Sequence, residues 1–470
     1  MRRELVIKEL REHVLSLRLQ IGFALAVLLV GLSAFVLSTR DAQRRDEEAR
    51  VQRAEDEFVR DYAHVNRASA ALRPRRAPAP MMLVRGLSSG SRVETLQVDP
   101  MPELFAPLDL GFVVGFLLSL LGIVLGFDAV SGEKERGTLR QMLANRLRRG
   151  DVVLAKWLAG GIVLTVTLAA AVLLGGLVVS LQAAGRWGTR EWVAYALIGL
   201  VSLLYCLCFF TLGLAASALT TRSSVSVLVA LLAWVVFVLV VPSLSPYLAA
   251  QVVRLPAVAA LERDVQFITS EERDQLGRRE QRAIWARHGE LREALGAGDE
   301  WDRRLAADPQ LRARYEVVRD EIQAAWDRVN EQQQAKADRL LSDWRARSEQ
   351  QTGLSRLLAA GSPLPSLVFA LTELADEGFS SQERYQRQRD AYYRSLESFM
   401  DRRYAEEQQR KATFSVNDFL DLSGRPRFEY HDSPLKDRIT AALPHAFLLA
   451  AWTAVLLLAA VLAFLRYDVR

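Results

Sequence analysis

The residues whose types and spacing could do chemistry are gathered in one short stretch, Phe127–Asp151, FDAVSGEKERGTLRQMLANRLRRGD. It is charged, turn-rich and basic toward its end, and it lies between two long apolar runs. The chemistry it offers is contact with a soluble partner, not bond-making. An alternating acidic and basic cluster, Ser131-Gly132-Glu133-Lys134-Glu135-Arg136-Gly137, leads into a short amphipathic sequence. Elsewhere the candidates thin out. The five His are scattered, with no HExxH or paired-ligand spacing, so no metal site is expected. Cys206 and Cys208 both fall in one apolar run, which leaves no cysteine for a disulfide in the polar segments. The many Glu, Asp and Arg residues of the long polar segments read as a solvated face, not as catalytic carboxylate pairs. No enzymatic constellation, cofactor site or nucleic-acid partner is expected.

Local signals shape the stretch. Thr138-Leu139-Arg140-Gln141 fits a capping box, and Gly137 before it permits a sharp turn. Leu139, Met142, Leu143 and Leu147 then share one face of a helix of about two to three turns. Arg146, Arg148 and Arg149 lie at its negative end, Gly150 is placed to stop it, and Asp151 to cap the next helix. Two roles compete for this helix. Its apolar ridge fits a groove on a cytoplasmic partner, or it lies on an anionic leaflet through its arginines. Glu133 and Glu135 favour the first, because carboxylates gain nothing beside a negative surface.

The elements on either side are membrane spans. A mean hydropathy of +0.07 looks soluble, but it averages near-pure apolar runs with densely charged ones. Six uncharged runs can cross a hydrocarbon core: residues 19–38, 110–127, 157–182, 192–220, 223–250 and 443–465. The first is too long for a signal-peptide core and no A-x-A site follows it, so it reads as retained. Lys and Arg concentrate in residues 1–18, 128–156, at Arg222 and in 466–470, which places both termini in the cytoplasm. In the N-terminal arm, Val6, Leu10, Val14 and Leu17 share a face, with Glu4, Lys8, Glu9, Arg11 and Glu12 around the rest. Such an arm is either an amphipathic helix in the headgroup plane or an extension of the first span. Inside the spans, Tyr205, Thr165, Thr167, Thr211 and Ser202 read as helix-to-helix hydrogen bonders. Pro242 and Pro246 are expected to kink or end the fifth span, and Pro444 and His445 to mark the start of the sixth.

Residues 39–109 and 251–442 then lie outside the cell membrane, and both read as mostly helical. The first breaks at Arg73-Pro74-Arg75-Arg76-Ala77-Pro78-Ala79-Pro80. The second carries three apolar stripes at spacings of three and four: Val258, Leu261, Val265 and Ile268; Leu311, Tyr315, Val318, Ile322, Ala325 and Val329; and Tyr385, Tyr392, Leu396 and Phe399. They predict long helices packed as an antiparallel hairpin or stalk. Residues 354–375 are more apolar and are expected against the bilayer or the spans. The fold class is therefore an all-α membrane protein, six transmembrane helices with a large, coiled-coil-like extracytoplasmic domain.

At Asp128-x-x-Ser131-Gly132-Glu133-x-Glu135-x-Gly137-Thr138-Leu139, with Lys156 beginning the next span, the chain resembles the signature loop of type-2 ABC-transporter permeases. Phe464-Leu465-Arg466-Tyr467-Asp468-Val469-Arg470 and Ser362-Pro363 resemble a subgroup with a large helical insert before the last span. The resemblance implies a dimer of permeases, homo- or heteromeric, working with a separate cytoplasmic ATPase that binds the ATP. In agreement, no GxxxxGK[ST] phosphate loop occurs in the chain. By the same analogy Leu139–Leu147 is a coupling helix, Glu133, Glu135 and Arg136 make polar contacts near the ATPase, and residues 1–18 are an interfacial helix. The expected function is export or extracytoplasmic conformational work driven by ATP. A force-transmitting membrane subunit without transport, or a membrane-anchored scaffold or sensor, remains open, as does an extracytoplasmic protein partner.

Overall fold

A computed structural model describes residues 2–62, 109–139, 149–183, 187–296, 301–411 and 420–466. Among them all regular structure is helical, without a strand. Six segments are long and apolar enough to span a membrane: Leu17–Thr39, Leu110–Arg136, Gly150–Gln182, Thr189–Leu219, Ser223–Val252 and Leu435–Arg466. They coincide with the six uncharged runs, so the all-α, six-span architecture is the one the sequence predicts.

The ends differ from expectation in instructive ways. Span one is part of a single helix, Leu17–Tyr62, that runs on into the charge-dense segment without a break. Span six starts at Leu435, so Pro444 lies inside the helix and not at its start. Span five continues through both prolines to Val252. Its helix loosens just before them into a π-turn, Val236–Val240, in which the Val241 N–H reaches back to Val236 O. Pro242 follows and has no N–H to give Phe237 O. The Ser362 hydroxyl supplies the missing donor to that carbonyl. The Pro-rich break at 73–80 lies outside the described residues.

The chain divides into two compact units, Met1–Pro242 with Ala359–Arg470, and Ser243–Leu358. Residues 251–442, expected as one domain, are thus split between them. In the first unit spans two and four meet at backbone distance. A Cβ on Gly126 would stand 2.6 Å from Phe210 O and 2.9 Å from Leu214 N, and one on Gly213 2.9 Å from Ile123 O. Small residues allow this approach, which is how spans associate where no water drives them together. Polar groups tie the same helices. Gly115 O, in a π-turn of span two, accepts from Tyr205 OH at 2.9 Å and from Ser119 Oγ at 2.6 Å, and Trp234 Nε1 donates to Ser119 Oγ at 2.9 Å. Trp157 Nε1 likewise donates to Thr211 Oγ1 at 2.8 Å. Thr165 and Thr167 instead bond carbonyls of their own helix, and among the described residues Ser202 Oγ has no hydrogen-bond partner.

The apolar helix Pro363–Leu374 is buried within this unit, with Leu364, Leu367, Ala370, Leu371 and Leu374 in the same core as the spans. Among the described residues the third stripe, on helix Phe379–Arg410, packs on a non-helical segment. Tyr385 and Tyr392 pack on Phe428, and Leu396 clusters with Leu420 and Leu422, all from a non-helical return toward span six.

The second unit holds an antiparallel pair, Val258–Arg287 (with a π-turn at Phe267–Glu272) against Pro309–Ala359. The direction is fixed by cross-links that march in opposite senses: His288 to Glu321, Gln281 to Trp326, Glu272 to Lys336, and Pro256 O to Trp344. The second stripe buries Val318, Ala325 and Val329, and of the first Leu261 and Ile268 are buried while Val258 is exposed.

Candidate functional site: the loop after span two

After Gly126 the chain turns and forms a six-residue helix, Ser131–Arg136, that ends at Gly137. Gly137 has φ +74°, a left-handed conformation in which a side chain would be strained, so it stops the helix sharply. A helix this short has almost no internal hydrogen bonding to hold it. Its stability comes from its neighbours, and almost every residue contributes one tie.

Ser217, near the end of span four, caps the helix start. Its Oγ accepts from Val130 N at 2.9 Å and Ser131 N at 2.8 Å. Lys134 Nζ donates to Ala218 O at 2.5 Å and Thr220 O at 2.9 Å, closing over the carbonyl end of span four. Glu135 Oε2 accepts from Ser223 N at 3.2 Å, at the start of span five. Ser226 Oγ, one turn further, donates to Phe127 O at 2.6 Å. Arg18, at the base of span one, pairs with Asp128 at 2.7 Å and lies over the Phe127 ring.

The strongest tie is a buried ion cluster. Lys156 Nζ of span three lies 2.8 Å from Glu133 Oε1 and 2.8 Å from Glu9 Oε1 of the N-terminal helix Arg2–Leu15. The three side chains are 2%, 6% and 5% exposed, so solvent does little to screen them. Two carboxylates share one ammonium, and among the described residues Glu133 Oε2 has no hydrogen-bond partner. Removing the shared ammonium from such a buried group costs about 3–5 kcal/mol, because its carboxylates stay behind uncompensated. The cluster therefore clamps three elements, the N-terminal helix, the loop helix and span three, into one geometry.

The expected site residues divide. Glu135, Arg136, Gly137 and Thr138 are exposed. Glu133 is buried and holds Lys156 rather than facing outward. Leu139 is 2% exposed and packs with Val130, Val152, Val153, Leu214 and Phe464. Met142, Leu143 and Leu147, with Gln141 of the expected capping box, lie outside the described residues. Thr138 Oγ1 instead reaches Glu133 O at 3.4 Å. Gly150 and Asp151 fall inside the first turn of helix Arg149–Ala183 and do not separate two helices.

Sequence reasoning missed Glu9 and Ser217. The N-terminal arm reads as amphipathic about Val6, Leu10, Val14 and Leu17, with Glu9 on the polar side. The structure buries Glu9 and leaves Val14 and Leu17 exposed. Lys156, a lone cation at the foot of an apolar span, was the available signal, since a buried ammonium demands carboxylates.

A bundle of six apolar helices, with a short polar loop tied to four of the spans and, through Lys156, to the N-terminal helix, defines a multi-pass membrane protein. The chain belongs to the ABC-2 transporter family, whose model, described as "ABC-2 family transporter protein", matches residues 3–469. Among curated proteins it is similar to the probable ABC transporter permease protein NosY of Stutzerimonas stutzeri, 33% identical over 130 residues, 27% of this chain and 45% of that protein. It is also similar to the protein of the same name from Pseudomonas aeruginosa, 43% identical over 49 residues, 10% of this chain and 18% of that one. The chain thus spans less than half the length of either curated relative.

Proposed function

We propose that the chain is the membrane-spanning permease subunit of an ABC complex, driven by a separate cytoplasmic ATPase that docks on the loop at residues 128–156. The observation that carries this reading is the network around Ser131–Arg136. A load applied to residues 138–148 reaches span three through Lys156, span four through Ser217 and Lys134, and span five through Glu135 and Ser226. Closure of an ATPase dimer would thereby be converted into a concerted shift of spans. Glu135 and Arg136, exposed beside the turn, are the polar docking contacts, and Leu143 is the apolar one. Glu133 acts one step inward, holding Lys156. Family membership and the naming of the relatives as ABC transporter permeases support the same reading.

In this reading both termini and the loop are cytoplasmic, residues 39–109 and the segment 251–442 between spans five and six are extracytoplasmic, and two permease chains form the working membrane unit. A second reading of the output has its own support. Helix Pro309–Ala359 has 51 residues, about 75 Å of continuous helix. Three residues past its end the chain enters the buried helix Pro363–Leu374, whose Ser362 is bonded to span five. That continuity suits transmission of force to an extracytoplasmic protein partner as well as export.

Affinity purification from native membranes followed by mass spectrometry tests the proposal. An ABC ATPase is expected with the intact chain and is lost in Leu143→Asp and weakened in Glu135→Arg, while membrane insertion is unchanged. Recovery of the chain free of any ATPase refutes it.

A further inference from the structure

The apolar helix Pro363–Leu374 is too short to cross a bilayer, yet it lies in the same core as the spans. Its neighbours give its depth. Arg438 of span six pairs with Asp376 at 3.7 Å, and the His445 ring lies 5.3 Å from the Phe369 ring. Seven residues back along one element match seven forward along the other, so the two run antiparallel and in register. Seven more bring Ser362 level with Trp452. An independent contact agrees, because Ser362 Oγ donates to Phe237 O and the Phe237 ring lies 5.2 Å from that of Trp452. Trp452 is the central residue of 439–465, and Phe237 is one residue from the centre of 223–253, the stretches of spans six and five without Asp, Glu, Lys or Arg. The helix thus begins at the middle of the spans and ends near Arg438, where charge returns. We propose that residues 359–375 form a re-entrant half-helix whose tip, Ser362, pins the π-turn of span five at the bilayer midplane.

Length and composition fit that depth. Twelve residues make about 18 Å of helix, close to half of a hydrocarbon core about 30 Å thick. Residues 357–372 carry no charge, and charge returns at Glu373. A helix that starts in the membrane interior must satisfy its first four N–H groups without water. Here all four are accounted for. Ser362 N donates to Ala359 O at 3.0 Å, Leu364 N reaches Ser362 Oγ at 3.4 Å, and Pro363 and Pro365 have no N–H. Proline at the first position is common in any helix; the complete set is what a dry site demands.

The hydroxyl that caps this helix also fills a vacancy in span five. In an α-helix Phe237 O would accept from Val241 N, four residues on. In the π-turn Val241 N goes to Val236 O, and Phe237 O accepts from Ser362. Seating of the tip and the π-turn are therefore coupled, a two-state element of the kind π-turns supply at functional sites. Within the segment proposed as extracytoplasmic, residues 359–375 then dip back into the bilayer. The face from which they enter rests on the orientation proposed above, whereas their depth does not.

The test places a nitroxide on a cysteine introduced at Val368, Phe447 or Lys436, all exposed, in the full chain in proteoliposomes. The unsubstituted chain, whose Cys206 and Cys208 are buried, supplies the labelling background. Collision with oxygen and with a water-soluble nickel chelate reads depth. The register sets residue 368 level with 446, so Val368 should match the depth of Phe447 to within about 5 Å, one helical turn, while Lys436 reports water. Nickel contact at Val368 equal to that at Lys436 overturns re-entry. With the label at Val368, Ser362→Ala should raise its mobility, and Ser362→Thr, which keeps the hydroxyl, should not. Unchanged mobility in Ser362→Ala overturns the pin. Depth reads alike from either face, so a reversed orientation would correct the side of entry and leave this result standing.

Discussion

Replacing Lys156 by Met is the perturbation that most sharply separates a clamp from an ordinary surface pair. Met approximates the length and apolar stem of lysine, so packing is nearly kept and the loss is electrostatic. Glu9 and Glu133 would then face each other within two hydrogen-bond lengths, both almost fully buried and without a cation. The expected cost is about 3–5 kcal/mol, the range for removing one member of a buried ion pair. Glu9→Gln should cost far less, about 1 kcal/mol, because Lys156 keeps Glu133 and the cluster becomes neutral. The triple variant Glu9→Gln, Lys156→Met, Glu133→Gln should recover most of the loss, since no uncompensated charge remains. Equilibrium unfolding in mixed micelles with rising dodecyl sulfate fraction reads all three. A Lys156→Met variant within about 1 kcal/mol of the unaltered chain would refute the reasoning, because that is the range of an exposed pair. So would a triple variant no more stable than Lys156→Met, or a Glu9→Gln loss as large as that of Lys156→Met.

Three further outcomes are expected. Gly126→Ala should destabilise by about 1–3 kcal/mol in the same assay, because its Cβ meets span-four backbone, whereas Gly161→Ala, whose Cβ would lie 3.3 Å from the movable end of Leu207, should be nearly silent. Ser362→Ala should cost about 1–3 kcal/mol by leaving Phe237 O unbonded, and Pro242→Ala should offset part of it by restoring an N–H in span five. In the helical pair, Glu321 is held below its ordinary value of 4.5, first by the His288 hydrogen bond and then by the charge of Arg287. A depressed carboxylate stabilises the folded state fully above its ordinary value and loses that contribution as pH falls through the folded value, so acid should loosen the pair in the intact chain but loosen Glu321→Gln less, as read by amide exchange across 309–330.

The spans were legible because a charge-free run of about twenty residues is hard to place anywhere but in a bilayer, and the antiparallel pair because its stripes repeat over several turns. What the sequence hid were features decided by partners far away in the chain. Glu9 looks like any solvated glutamate until Lys156, 147 residues on, is brought against it. Leu139 fits a partner-facing ridge as well as it fits the pocket formed by Val152, Leu214 and Phe464. The third stripe has helical spacing, but spacing does not say that its cover is the extended segment carrying Phe428 and not a second helix. The prolines of span five predicted a disturbance. Its form, a π-turn closed by Ser362, depends on a hydroxyl 125 residues away. Of the loop itself, a sharp turn at Gly137 was readable, while the helix it ends and the inward turn of Glu133 were not.

The central claim is that the loop after span two meets an ATPase, and residue 143 is where to ask. A photo-crosslinking amino acid at Leu143, activated in intact cells, should yield one dominant protein adduct containing an ABC ATPase, intensified when ATP hydrolysis is arrested. Adducts to phospholipid alone would place this segment on the leaflet and contradict the account.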